Sequence, residues 1–361
     1  MRALKLHRIF LSNKFPRTTF FLISIILIVS VLLFINKINN HEKSFTNTTT
    51  AMGTFVNQTI SAESPESIAI NVSKEITDLE NLISWRIKGS DIEKVNIAPA
   101  LEWVSVTEKT INILCAALNT AKMTNGAFEP AILPVSILWD FSADTPKVPN
   151  ENELKKAVSN VGHSNLEIDK NSLKVRKLSP LSLVDLGAVG KGAACDTAIK
   201  EYEKSNAKSA IISVGGSIGV YGTKKDKSAF NIAIRDPLNT KNDAVSFATL
   251  KIYKGCVSTS GSYERNFNVD GKFYHHVLDT KTGYPTDNDL ISTTVYNESG
   301  LLTDILSTAC YVLGKEKSLP LLEYYNAEAI FVDKSKHVFV TKGLKDKLNI
   351  TNQSYILCDL Y

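Results

Sequence analysis

Asp304 and Thr308 stand four residues apart in "TDILST" (303–308), at the start of an apolar stretch with helical spacing. Residues four apart share one helix face. A carboxylate and a hydroxyl on one face suit a hard cation such as Mg2+, which takes oxygen ligands and keeps positions for phosphate. The same spacing also suits plain capping, with the threonine bonding back to its own turn. A second group is "VDLGAVGKGAACD" (184–196), where an apolar strand ends at Asp185 and Gly187, Gly190 and Gly192 lead into a helix. Glycines let the backbone approach a ligand closely, and a helix N-terminus offers free N–H groups to an anion. Lys191 adds a positive charge. Neither GxGxxG nor GxxxxGK[ST] is present, so this is neither a dinucleotide fingerprint nor a P-loop, and an ordinary strand–turn–helix would read the same.

The third group lies in "STSGSYERNFNVDGKFYHHVLDTKTGYP" (258–285). Thr259, Ser260 and Tyr263 offer hydroxyls, Arg265 offers a fork of donors, and Asp279 precedes a turn at "KTGYP". His275 and His276 are adjacent, so in a strand they point to opposite faces and do not form a two-histidine metal pair. "SVGGSIGVYG" (213–222) runs a buried strand into a Gly-Gly turn, and "NGAFEPAILPVSILWDF" (125–141) carries aromatics, two prolines and Glu129 in what reads as a structured loop over the core.

The elements that must position these groups follow from periodicity. Residues 51–61 suit a strand. Apolar positions at Val72, Ile76, Leu79 and Leu82/Ile83 predict a helix over 64–85, and a similar pattern predicts one over 99–123, stopped by Asn125-Gly126. A short helix at 151–159 and a hairpin of 164–168 with 173–177 come next. Then follow a strand at 182–186, a helix at 190–204 and a strand at 209–214. Strands are expected at 229–234, 246–252, 273–278 and 291–296. Helices at 301–313 and 315–325 and strands at 328–332 and 337–341 close the pattern. The expected class is α/β (mixed α+β), with mixed sheets flanked by helices.

With 361 residues, 43% of them hydrophobic, the chain has ample material for a core. A mean hydropathy of −0.04 excludes a many-span membrane protein. The net charge of +4 is unevenly placed: Arg2, Lys5, Arg8, Lys14 and Arg17 carry five positive charges with no acid among them. The remainder is close to neutral, which argues against a nucleic-acid binder. Five cysteines (Cys115, Cys195, Cys256, Cys310, Cys358) without a CxxC suggest neither a zinc site nor a disulfide scaffold. Residues 20–35, "FFLISIILIVSVLLFI", hold no charge and follow the basic stretch. No small-residue cleavage site follows, and the first cysteine is Cys115, which leaves no lipoprotein site. The expectation is a cytoplasmic basic segment (1–17), an uncleaved transmembrane signal anchor (18–37), a polar tether (38–50) and a body (51–361) on the extracytoplasmic side.

Taken in order, "MGTF" (52–55), "SWRIKGSDIEKVN" (84–96), the 125–141 segment, "VDLGAVGKGAACD", "SVGGSIGVYG", "TSGSYERNF", "DGKFYHHVLDTKTGYP" and "LTDILSTACYVLG" resemble the ApbE family of FAD:protein FMN transferases. The resemblance spans residues 51–314. It implies a two-lobed body with FAD in the cleft between lobes. It implies Mg2+ held by Asp304, Thr308 and the backbone carbonyl of Gly190. It assigns FAD contacts to Met52, Trp85, Ala127, Phe128, Glu129, Gly187, Ala193 and His275, joined by Lys191, Thr259 and Ser260. His276 and Asp279 are alternative candidates for the base that takes a proton from the attacking hydroxyl. The implied reaction moves FMN from FAD to a Thr or Ser of an acceptor protein, with AMP released. Acceptors in the family are membrane redox subunits of the Nqr and Rnf type. Hydrolysis of FAD to FMN and AMP, or an anchored flavin-binding protein without turnover, are the alternatives. The chain departs from the family pattern at Glu129 (usually Asp), Ala131 (usually Thr) and Ser217 (often Asp).

Overall fold

The computed structural model describes residues 21–22, 25–30, 43–239 and 245–360. Its main element is a nine-stranded sheet. From one edge to the other the strands run Lys43–Ala51, Thr54–Ala62, Ser209–Val214, Ser217–Gly222, Gly255–Gly261, Leu290–Asn297, Glu328–Asp333, His337–Val340 and Ile356–Cys358. The paired strands from Thr54–Ala62 through His337–Val340 are antiparallel, and the last pair is parallel. Residues along a strand alternate between faces. Ala329 and Phe331 therefore enter one core, under the helices Pro65–Ile83, Glu108–Met123, Gly190–Lys204 and Gly300–Leu313. Ile330 and Val332 enter another, against a three-stranded sheet of Leu348–Ile350, Ser246–Ile252 and Phe230–Arg235. A third, aromatic cluster of Trp139, Phe141, Phe267, Tyr274 and Tyr284 lies beneath the loop that follows the two histidines. Residues Ser44–Tyr361 form one compact unit.

The helix Pro65–Ile83 buries Ile68, Val72, Ile76, Leu79 and Ile83 at the expected spacing. Glu108–Met123 starts on Thr107, whose hydroxyl accepts from Thr110 N. It stops where Asn125 (φ 49°) and Gly126 (φ 79°) enter the left-handed region. Residues 99–107 are not helical; Val104–Ser105 joins the hairpin Leu166–Asp169/Lys174–Lys177 as a third strand.

Two sequence expectations change. Residues 43–50 are not a free tether. They form the edge strand of the large sheet, turned back at Met52 (φ 54°) and Gly53 (φ 66°), the two left-handed positions of a type I′ hairpin. Threonine-rich "FTNTTT" is polar, but its β-branched side chains favour extended backbone. Thr46 and Thr48 bond across to Thr59 and Asn57. Residues 182–186 are extended but pair with no strand. The side chain of Asn96 stands in for a neighbouring strand, donating to Val184 O (2.9 Å) and accepting from Val184 N (2.7 Å), while Asp185 N donates to Pro130 O. Most of the expected anchor lies outside the described residues; 21–22 and 25–30 are helical. Among the described residues no helix is long and apolar enough to cross a membrane. All five cysteines are free thiols.

The helices Gly190–Lys204 and Gly300–Leu313 meet at two glycines. A Cβ on Gly192 would lie 2.0 Å from Gly300 O, and one on Gly300 would lie 2.4 Å from Gly192 O. Asp196, one turn beyond Gly192, caps the second helix: its carboxylate accepts from Gly300 N (2.5 Å), Leu301 N (2.9 Å) and Ser299 Oγ (3.1 Å). A carboxylate on a helix N-terminus contributes about 1 kcal/mol. We expect Gly192→Ala to destabilise the protein by about 3 kcal/mol or more in urea unfolding, since backbone atoms cannot yield to the added methyl. Gly190→Ala, whose Cβ would meet Ile83 Cδ1 and Met52 Sδ at an ordinary 3.5 Å, should stay near wild type. Equal midpoints for Gly192→Ala and wild type would contradict this crossing.

Candidate active site

The glycine crossing seats Asp304 against the first turn of Gly190–Lys204. Asp304 is 3% exposed. Its Oδ2 accepts from Gly192 N (3.0 Å), one of the N–H groups a helix start leaves without an intrahelical partner. Its Oδ1 lies 3.7 Å from Lys191 Nζ and 3.5 Å from Ser217 Oγ. Hydroxyls continue below: Ser258 donates to Ser217 (2.9 Å) and bonds Thr303 (2.7 Å). Thr308 shares Asp304's helix face, as the spacing predicts. Its hydroxyl bonds Ser260 (3.1 Å), which also bonds Ser307 (2.9 Å), so Thr308 is tied to the neighbouring strand.

Around this pair lies a ring of charge. The Asp304 carboxylate raises the Lys191 ammonium above its usual range, against the opposing effect of burial. Burial raises the carboxyl of Asp185, opposed by the nearby cations Arg86, Arg265 and Lys191. Partial desolvation also raises the carboxyl of Glu264, opposed by Lys191 and reinforced by Asp304. Burial, with Arg265 and Lys191 adding to it, pushes His276 down to about 3. Its Nδ1 is buried without a hydrogen-bond partner among the described residues. Lys191 and Arg265 thus act on a neutral imidazole, and together with Arg86 on the half-buried Asp185 carboxylate ahead of a helix start. That arrangement selects an anionic ligand, of which phosphate is the natural class.

The sequence profile of the ApbE family matches residues 52–331. The chain belongs to the ApbE family. It is 29% identical over 292 residues to an FAD:protein FMN transferase of Treponema pallidum, covering 77% of this chain and 80% of the relative. It is also 29% identical over 273 residues to one of Haemophilus influenzae, covering 74% and 79%. The crystal structure of an ApbE protein from Thermotoga maritima superposes with a TM-score of 0.77 at 30% identity, over 84% of this chain and 99% of that one.

Several residues of the ApbE motifs gather at the site. Met52, at the hairpin turn, brings its sulfur to Gly190. Gly187 N donates to Asp185 Oδ1 (2.8 Å), shaping the turn before the helix. Trp85 packs on the core edge with Arg86 4.1 Å over its ring. Thr259 bonds Thr294 (2.8 Å), with its own N–H on Gly216 O. Asp279 accepts from Lys281 N (2.8 Å) in the loop that Trp139 fixes by donating to Gly283 O (2.7 Å).

Other expected residues turn away. His275 and His276 do face opposite ways, and His275 is the structural one. Its Nδ1 accepts from Val277 N, its Nε2 bonds Thr286 O (3.1 Å), and its ring meets Tyr311 edge-on, so it has no free polar atom for a cofactor. Ala193 and Phe128 pack into the main core. Ala127 sits at the helix end, its N–H on Thr124 O. Glu129 Oε1 accepts from Ala131 N and its Oε2 from the N and Nδ1 of His163, so the carboxylate points inward. Arg86 and Glu264 had no separate signal beyond the motifs containing them, and His163 sits in no motif.

The depressed His276 gives a testable sign. Between about pH 6.5 and pH 3 the unfolded chain binds a proton there and the folded chain does not. The stability that depends on neutral His276 is whole above that window and is lost as pH falls through it. We expect His276→Gln to show a shallower fall in Tm from about pH 7 to pH 4 than wild type. Parallel curves would contradict the burial of this ring.

Proposed function

We propose that this chain transfers FMN from FAD to a Thr or Ser hydroxyl of an acceptor protein. The observation that carries the proposal is Asp304, locked to the start of the Gly190–Lys204 helix and beside Lys191, which with Arg265 acts on His276. FAD is a dianionic pyrophosphate, the ligand class this ring selects. The relatives' activity supports the same reading.

In the reaction the acceptor hydroxyl attacks the FMN-side phosphorus. The phosphoester bond forms, the P–O–P bond breaks and AMP leaves. Lys191 and Arg265 hold the pyrophosphate oxygens and stabilise charge there. The hydroxyl proton passes to His276, with Asp279 the alternative base. His276 is a weak base in the free protein because burial, and after it Arg265 and Lys191, oppose its protonation. A pyrophosphate between these cations offsets their charge, so substrate binding itself raises the basicity of the imidazole. Mg2+ fits the residues present, since Asp304, Thr308 and the Gly190 carbonyl offer only oxygen. Those groups would hold it, and it would neutralise pyrophosphate charge.

The proposal extends to location and partner. The charge-free run 20–35 behind five basic residues supports an anchor at 18–37 in the cytoplasmic membrane, with the body in an extracytoplasmic cleft-bearing position. An enzyme so placed would meet membrane redox subunits of the Nqr and Rnf type, the acceptor class the resemblance implies.

Asp304→Asn keeps an acceptor for Gly192 N–H and removes the charge. We expect it to stay folded and to release AMP from FAD at least ~100-fold more slowly, read by chromatography of AMP. Turnover at the wild-type rate would sink the assignment.

A further inference from the structure

Glu129 and His163 form a pair whose chemistry is not used above. The Glu129 side chain is 1% exposed and that of His163 is 29% exposed. Oε2 of Glu129 accepts from both His163 N (2.8 Å) and His163 Nδ1 (2.9 Å), while Oε1 accepts from Ala131 N (3.1 Å). A carboxylate accepting from Nδ1 fixes the ring as the Nδ1–H tautomer and sets its orientation. Nε2 then carries a lone pair, on a ring that is partly exposed.

The pair sits where the site's loops join. Pro130 O, next to Glu129, accepts from Asp185 N (2.8 Å), and Asp185 belongs to the charged ring. Thr280, next to Asp279, donates to Gly126 O (2.6 Å). Glu129 Oε2 and Thr280 Oγ1 flank Gly126, each 3.9 Å from where a Cβ would stand, and Gly126 is left-handed at φ 79°. A backbone bond therefore ties the Glu129 loop to the ring, and the Thr280 hydroxyl ties it to the segment that follows Asp279.

Resting on the FAD reading above, we infer that His163 is a substrate-contacting residue whose Nε2 accepts a hydrogen bond from a donor of the dinucleotide, and that Glu129 is its positioning residue. The carboxylate that sequence reasoning places against the cofactor is spent on holding an imidazole, and the imidazole makes the contact. A bare Nε2 accepts from an amine or hydroxyl and gives nothing to a phosphate oxygen. FAD has such donors in both halves: the adenine amine and ribose hydroxyls, and the ribityl hydroxyls with the flavin imide.

The test measures binding of FAD, AMP and FMN to the full chain by titration calorimetry, for wild type, His163→Phe, His163→Gln and Glu129→Gln, with Tm confirming folding. His163→Phe should weaken FAD about 5- to 10-fold. It should weaken AMP in parallel if the donor is in the adenosine half, or FMN if it is in the flavin half. His163→Gln retains an acceptor oxygen and should recover much of the loss. Glu129→Gln should fall between wild type and His163→Phe. FAD affinity of His163→Phe within twofold of wild type, or an equal loss in His163→Gln and His163→Phe, overturns the inference. Wild type that neither binds FAD nor releases AMP overturns the underlying reading instead, so the two failures are told apart by the wild-type control.

Discussion

Two helices approach so closely at Gly192 and Gly300 that neither position has room for a side chain, and the site depends on that approach. The carbonyl of each glycine occupies the space where the other's Cβ would stand. With the helices this near, the carboxylate of Asp304 reaches the N–H of Gly192, and the carboxylate of Asp196 reaches the start of the opposite helix. The two aspartates make reciprocal bonds, each from one helix to a backbone donor of the other. Moving the helices apart by even an ångström would cost both bonds and leave buried carboxylates without donors, a penalty larger than the bonds themselves contribute.

The electrostatics follow from this packing. Lys191 follows directly from the glycine turn, so it cannot leave Asp304, whose charge raises the ammonium. Arg265 and His276 come from another part of the chain, brought in by the short hairpin Asn266–Val269/Lys272–His275 and the aromatic cluster beneath it. The result is two cations, Lys191 and Arg265, facing a neutral imidazole. Burial and then these two cations hold the His276 imidazole down, and an anion bound beside them would offset the cations' part.

Much of this was legible in the sequence, for definite reasons. The helix Gly190–Lys204 has the expected bounds because glycines mark its start and Asn206-Ala207 its end. The Asp304/Thr308 face follows from helix geometry alone, whereas the strand expected over 273–278 runs Lys272–His275 and leaves His276 in the bend beyond it. What escaped depends on tertiary partners. Residues 182–186 read as a strand because they are apolar, yet the partner is one asparagine side chain, Asn96, 88 positions away. Residues 43–50 read as a tether because they are polar, yet an edge strand needs only backbone pairing and β-branched residues. Glu129 stands where the resemblance implies a cofactor contact, and nothing local revealed that His163 would bond its carboxylate. His275 read as a cofactor contact because of its neighbours, while Val277 and Thr286 fix both its nitrogens.

The measurement that bears most directly on the account is intact-mass analysis of an acceptor domain incubated with the full chain, FAD and MgCl2, with AMP quantified in the same sample. The account predicts an acceptor heavier by one FMN, with AMP released in equal amount. Free FMN and AMP with an unlabelled acceptor, across acceptors bearing the target Thr or Ser, would contradict transfer and leave hydrolysis as the chemistry of this site.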